Sequence, residues 1–182
     1  MSKANAFIFA RGGSKGLPKK NILKINGRPL IAYSISTAKK SELIENVFLS
    51  SDDQEILDIG STFGAIPIKR PSEFSQDNTP ELEAWKHAIK YVYRNYGIFD
   101  IFVSLPPTSP LRRLIDVNKS IKLLEEDCDI VFTMKKSSPP LSSRGRFFRL
   151  SSNNVSPSCN TISPILPFIC SPFRAIAKMA AE

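Results

Sequence analysis

NAFIFARGGSKGLPKKN (Asn5–Asn21) is the stretch on which the fold turns. Its first six residues, NAFIFA (5–10), form a short apolar run, the pattern of a buried strand. Three glycines follow, Gly12, Gly13 and Gly16, among Arg11, Lys15, Lys19 and Lys20. Glycine permits a backbone whose N–H groups converge on an anion, and the basic side chains supply charge. The run is not G-x-x-x-x-G-K-[ST], nor is it G-x-G-x-x-G opening directly into a helix. Pro18 directs an extended path after the glycines. On these residues alone two readings stand: a loop that holds phosphate, or a solvated basic turn.

Working outward, residues 5–133 alternate between short apolar runs and helical patterns. Pro29 opens a helix with Leu30, Ile31, Ser34, Ile35 and Ala38 on its inner face. NVFLSS (46–51) is a second strand. Ser51 or Asp52 is placed to cap a helix carrying Ile56, Ile59 and Phe63, which stops near Gly64. AIPI (65–68) is a short strand. Thr79-Pro80 opens a helix with Leu82, Trp85, Ile89, Val92 and Tyr96 on one face, ending at Gly97. FDIFVSL (99–105) is a strand, Val117, Ile121 and Leu124 mark a helix, and DIVFTM (129–134) is a further strand. Strand and helix in alternation with short links predict a parallel sheet covered on both faces. Ligands of such sheets bind outside the carboxyl ends of the strands. That rule brings loops 11–21, 51–53 and 106–113 to one rim.

The sequence has 182 residues, 42% hydrophobic and 23% charged, the composition of a globular chain. It contains no apolar run near the roughly 20 residues that span a bilayer. Met1-Ser2-Lys3-Ala4-Asn5 does not read as a signal peptide, and Cys128, Cys159 and Cys170 lack metal spacing. Reduced thiols in the cytoplasm are the expectation. Net charge is +8, unevenly spread: residues 1–133 hold 18 Lys+Arg against 16 Asp+Glu, and residues 134–182 hold seven against one. The basic excess therefore lies after the alternating region. There, ten serines and six prolines interrupt any period of 2 or 3.6. Two parts are expected: a domain at 1–135 and a Ser/Pro-rich basic tail at 136–182, poorly ordered, with a short helix allowed at 172–181. RGRFFRL (144–150) sets aromatics beside arginines but matches no nucleic-acid module, so nucleic acid is not an expected partner.

ARGGSKGLPKKN (10–21) resembles the N-terminal signature of the acylneuraminate cytidylyltransferases. LSSDDQEI (49–56), KRPSEFSQDNTP (69–80) and LPPTSPLRRLIDV (105–117) match the same family in order, as does GRPLIAYSI. The resemblance covers about residues 5–135. It implies a Rossmann-like three-layer α/β/α nucleotidyltransferase fold with a mostly parallel sheet. It also implies the reaction of CTP with a 2-keto-3-deoxy nonulosonic acid, giving CMP-sugar and pyrophosphate. Such phosphoryl chemistry is helped by positioning and electrostatic stabilisation from Arg, Lys and Mg²⁺. Family members commonly serve surface polysaccharide or lipopolysaccharide synthesis.

The resemblance also implies roles for residues. Arg11 and Lys20 are the catalytic pair, one on the triphosphate and one on the α-phosphate. Gly12, Gly13, Ser14 and Lys15 line the phosphate path, and Asn21 and Arg70 touch the nucleotide. Asp77 and Thr79 shape the cytidine pocket, although either residue type also serves as a helix cap before Pro80. Thr108, Ser109 and Arg112 lie near the sugar. His87, beside Trp85 on a helical pattern, reads as a packed histidine.

Two departures matter. Family members often carry glutamine before P-T-S-P-L-R, where it contacts the acceptor sugar; here Pro106 stands there. The sugar is thus left open between sialic acid and legionaminate- or pseudaminate-like acids. Members also carry R-R-Q, N-G-A-I-Y and D-x-D patterns and a protruding segment that builds a homodimer, none of which occurs in 134–182. Mg²⁺ needs oxygen ligands, usually carboxylates. The expectation is a truncated or frame-shifted end, impaired turnover and no dimer. The alternative is a nucleotide-binding remnant without catalysis. Another sugar nucleotidyltransferase, such as a 3-deoxy-octulosonate or sugar-1-phosphate enzyme, is disfavoured by PPTSPLR.

Overall fold

A computed structural model describes residues 4–14, 16–75, 80–125, 130–135, 145–151, 154–156 and 168–170. The first strand, β1 (Ala4–Phe9), leads through the glycine loop to a 3-10 turn, Lys20–Ile22. A two-stranded hairpin follows, β2 (Lys24–Ile25) and β3 (Arg28–Pro29), and then α1 (Leu30–Lys39) and β4 (Ile44–Ser51). Next come α2 (Gln54–Thr62), β5 (Ile66–Lys69), a 3-10 turn at Ser72–Ser75, α3 (Glu81–Asn95) and β6 (Ile101–Ser104). The order closes with α4 (Leu114–Glu125), β7 (Ile130–Lys135), β8 (Gly145–Ser151), β9 (Asn154–Ser156) and β10 (Phe168–Cys170).

The main sheet runs β5-β4-β1-β6-β10-β7-β8-β9. β5, β4, β1 and β6 pair in parallel, as the alternation predicts. Successive side chains of a strand point to opposite faces, and the core divides accordingly. Ala4, Ala6, Ile8 and Ala10 face a cluster with Val47, Leu49, Ile101 and Val103, covered by α1, α2 and α4. Phe7, Phe48 and Phe102 face the other side, where Ala88, Ile89 and Val92 of α3 and Phe99 cover them. Apolar residues are therefore continuous along each central strand because both faces are buried. The result is three layers, helix on sheet on helix.

The structure departs from sequence expectation in two places. The cap of α2 is Asp53, whose carboxylate accepts the N–H of Glu55 at 2.9 Å, rather than Ser51 or Asp52. The Ser51 hydroxyl accepts the N–H of Asp53 at 3.1 Å, while the Asp52 side chain turns away towards the glycine loop. The β2–β3 hairpin was not expected, although Asn26-Gly27 between its strands is a strong hairpin dipeptide. Both residues have positive φ, 50° and 76°, as that turn requires.

Three further short strands are described after residue 135. β8 pairs antiparallel with β7, and β9 with β8. β10 lies between β6 and β7, antiparallel to both. Three residues of no marked periodicity become a strand because two flanking strands each present an unpaired edge. The remainder of the 136–182 segment, including the allowed helix at 172–181, Cys159 and most of the expected loose tail, lies outside the described residues. Cys128 does too. No helix among the described residues is long and apolar enough to cross a membrane.

Candidate active site

A cleft of about 620 Å³ opens at the carboxyl ends of β1, β5 and β6. β1 neighbours β4 on one side and β6 on the other, so the cleft sits where the chain's direction across the sheet reverses. Its floor and walls include Phe9, Arg11, Ser14, Lys20, Asn21, Arg70, Glu81 and Thr108.

The glycine loop forms one wall. Ala10 N–H still donates to Ser50 O at 3.0 Å, extending the β1–β4 ladder, and the chain then leaves the sheet at Arg11. Asn21 is buried, and its side-chain amide donates to the Arg11 carbonyl at 2.9 Å. That bond joins the two ends of the loop. Pro18 and Lys19 make a turn closed by Lys20 N–H on Leu17 O, with Lys19 at φ 52°. Lys19 Nζ reaches Glu55 on α2 at 2.5 Å. The turn delivers Lys20 into the cleft.

Arg70 enters from the end of β5. Its N–H donates to Ser51 O at 2.8 Å, and Nη2 lies 3.7 Å from Asp52 Oδ1. Burial pushes its guanidinium below the ordinary arginine range; Asp52 opposes that, and the like charge of Arg11 adds to it. Arg11 and Arg70 thus repel each other at one cleft. A polyanion between them would relieve the repulsion.

The opposite wall is the 106–113 loop. Pro106 O receives Ser109 N–H at 3.3 Å, Ser34 Oγ at 3.3 Å and Arg112 Nη2 at 3.1 Å. Arg112 Nη1 donates to Ser34 Oγ, also at 3.3 Å. Arg112 is only 6% exposed, and burial pushes its pKa down to about 10, still charged at neutral pH. The sequence set Arg112 beside the sugar. The structure puts its guanidinium beneath the loop, because the carbonyl of Pro106 and the hydroxyl of α1 offer acceptors there.

Of the expected site residues, Arg11, Ser14, Lys20, Asn21, Arg70 and Thr108 line the cleft together. Gly12, Gly13, Ser109 and Arg112 belong to the same two loops but are not part of its lining. Lys15, Asp77 and Thr79 lie outside the described residues. Phe9, Leu17, Phe74, Ser75, Glu81 and Ala84 also line the cleft and had been given no site role from the sequence. Phe9 was legible as the last outward residue of the first strand. Phe74 and Glu81 carry no sequence signal beyond flanking a helix start.

His87 packs against Phe74. Its ring lies 5.6 Å from that of Phe74, and Arg70 and Glu73 are its charged neighbours. Burial first, then Arg70, pushes its pKa below the usual histidine value, with Glu73 opposing. A histidine held neutral in the fold takes up its proton more readily when unfolded. Its destabilising effect is therefore absent above the unfolded value near 6.5 and grows as pH falls below it. His87→Gln is expected to flatten the decline of Tm between pH 6.5 and 5, measured by thermal melts in matched buffers. An unchanged slope would exclude His87 as the source.

Comparison with known proteins fits this geometry. A sequence profile described as cytidylyltransferase matches residues 6–129. The chain is 36% identical over 141 residues to an N-acylneuraminate cytidylyltransferase of Escherichia coli O18:K1:H7, covering 76% of this chain and 33% of that protein. It is 35% identical over 154 residues to a pseudaminic acid cytidylyltransferase of Campylobacter jejuni, covering 81% of this chain and 63% of that protein. The chain thus spans between a third and just under two thirds of these relatives. A solved CMP:2-keto-3-deoxy-manno-octonic acid synthetase complexed with CTP superposes with a TM-score of 0.67 at 18% identity, over 99% of this chain and 78% of that one. That likeness establishes the fold, a Rossmann-like nucleotidyltransferase sheet. With the profile spanning the sheet strands and loops that build the cleft, the chain belongs to the cytidylyltransferase family.

Proposed function

We propose that this chain binds CTP and transfers its cytidylyl group to a nonulosonic, sialic-acid-like sugar, giving CMP-sugar and pyrophosphate. The observation that carries the reading is the convergence of Arg11, Lys20 and Arg70 on one cleft at the switch point of the sheet. The names of the two relatives point to N-acylneuraminate and pseudaminate as the class of acceptor.

In this reading the anomeric hydroxyl oxygen attacks the α-phosphorus of CTP. A new P–O bond forms, the bond to the β-phosphate breaks, and pyrophosphate leaves. Negative charge spreads over the non-bridging oxygens and the leaving group. Arg11 and Lys20 meet that charge as fixed donors, which is the economical way to stabilise it. Arg70, held from behind by Asp52, adds a third cation. Asn21 donates to the Arg11 carbonyl and so sets Arg11 in place, and from the cleft lining it also touches the nucleotide in this reading. Ser14 and Thr108 both line the cleft, and in this reading Ser14 serves the phosphates and Thr108 the acceptor. Gly12, Gly13 and Lys15 shape the phosphate loop, Asp77 and Thr79 flank the cytidine end, and Ser109 and Arg112 hold the acceptor wall.

The resemblance also implies Mg²⁺. Among the described residues no three His, Cys, Asp or Glu side chains gather as a metal group. Glu81 is the one carboxylate among the cleft-lining residues, and Asp52 is engaged with Gly12 and Arg70. The described residues do not fit a protein-built magnesium site, and no step is assigned to the ion.

Pyrophosphate release tests the proposal. The protein is supplied with Mg²⁺, CTP and, in separate reactions, N-acetylneuraminate, a legionaminate and a pseudaminate. Release that depends on one of these sugars is expected. Tight CTP binding without turnover would replace the enzyme with a nucleotide-binding remnant. A folded sample that does not bind CTP would end the reading.

A further inference from the structure

Asp52 stands in the turn between β4 and α2, and its charge is of the wrong sign for its place. It lies behind a loop that receives a polyanion, where charge alone would weaken binding. Its side chain is 25% exposed, so it is neither solvated freely nor sealed in the core. Oδ1 accepts the N–H of Gly12 at 3.1 Å, and Arg70 Nη2 lies 3.7 Å from the same oxygen. The backbone carbonyl of Asp52 accepts from Lys69 Nζ at 2.8 Å. The carboxylate is thus tied to a backbone donor of the glycine loop, while its own main chain is held by β5.

The approach at Gly12 is close. A Cβ there would lie 2.9 Å from both Asp53 Cβ and Asp53 Oδ2. The loop is therefore pressed on the first turn of α2, with Gly12 N–H pointing back into the protein. At its far end Lys19 reaches Glu55 of the same helix. The loop leans on α2 at both ends, and Asp52 supplies the inner tie.

We propose that Asp52 is a positioning residue for the nucleotide: its carboxylate draws Gly12 onto the α2 turn, so that Arg11, Ser14 and Gly16 form one wall of the cleft. The assignment rests on the cytidylyltransferase reading. It gives Gly12 an indirect role, since its N–H is spent on Asp52 and not on phosphate.

The test compares three variants by steady-state kinetics, calorimetric titration with CTP and hydrogen exchange at the Gly12 amide. Asp52→Ala removes the acceptor and should raise the KM for CTP at least about tenfold, the usual cost of losing a charged hydrogen bond, with the sugar KM unchanged. Asp52→Asn keeps an oxygen facing Gly12 and should stay within about threefold of the parent. Asp52→Glu keeps the charge but displaces the oxygen, and should bind CTP weakly. Gly12 amide exchange should accelerate in the Ala and Glu variants and not in Asn. A folded Asp52→Ala protein with parental CTP affinity overturns the proposal. So does an Asn variant as weak as Ala, which would make charge the operative property. Should Asp52→Ala fail to melt cooperatively, the Asn and Glu variants decide on the same terms. A parent protein that binds no CTP sinks the cytidylyltransferase reading instead. The tie is then judged by exchange alone, and unchanged Gly12 exchange in Asp52→Ala or Asp52→Glu overturns it.

Discussion

Replacing Arg11 with alanine is expected to lower kcat/KM for CTP by about 10²–10³-fold, the usual effect of deleting one preorganised donor to a developing oxyanion. Arg11 leaves the end of β1 with its carbonyl fixed by Asn21 and its side chain on the cleft wall. A donor held by the fold before substrate arrives costs no reorganisation during reaction, which is why its removal is felt in the transition state. Most of the loss should appear in kcat, with a smaller rise in the KM for CTP, because Lys20 and Arg70 remain on the cleft lining as the other two proposed cations. Arg11→Lys should recover only part of the rate, since an ammonium keeps the charge but not the planar fork. The variant's Tm should match the parent's, because no core contact is lost. Measuring pyrophosphate release at saturating sugar over a range of CTP separates the two parameters. A variant within threefold of the parent in both would remove Arg11 from the mechanism.

The largest effect on stability is expected at Phe7. Its ring is fully buried at the centre of β1. It stacks on Phe102 at 4.6 Å and Phe48 at 5.3 Å and tilts against Phe99 at 5.5 Å, so strands on both sides of β1 meet through it. Phe7→Ala removes a large transfer term and leaves a cavity that flanking strands cannot close, at about 3–5 kcal/mol. Against a total of about 5–15 kcal/mol for an ordinary domain, that is about a fifth of the stability or more. Urea unfolding followed by far-ultraviolet circular dichroism reads it directly. A loss below about 1 kcal/mol would mean that α3 collapses into the gap, contrary to close packing against Phe102.

Phe7 sits within β1 and Arg11 just beyond its end, and the contrast between them shows what was legible. The alternation of apolar runs and helical patterns determined the parallel core β5-β4-β1-β6 and its covering helices, because a strand buried on both faces must be apolar throughout. Gly12 and the basic residues around it left a phosphate loop and a basic turn both open, and the rule for open sheets brought that loop to the rim where the cleft lies. Local chemistry with local consequences was readable.

What escaped the sequence depends on partners far along the chain. Asp52 looked like a helix cap, and only the approach of Gly12, forty residues earlier, gives its carboxylate another use. Arg112 was read as a residue near the sugar, and its bonds to Ser34 and the Pro106 carbonyl beneath the loop carried no sequence signal. β10 has no periodicity of its own, and its strand form is set by the slot between β6 and β7. By itself the sequence determined the parallel part of the sheet, its two apolar faces and the basic charge of the glycine loop. The tertiary structure alone decided which charged groups face that cleft and which stand behind it. A side chain's hydrogen-bond partner is set by what folding brings within about 3 Å, and sequence spacing does not encode that distance.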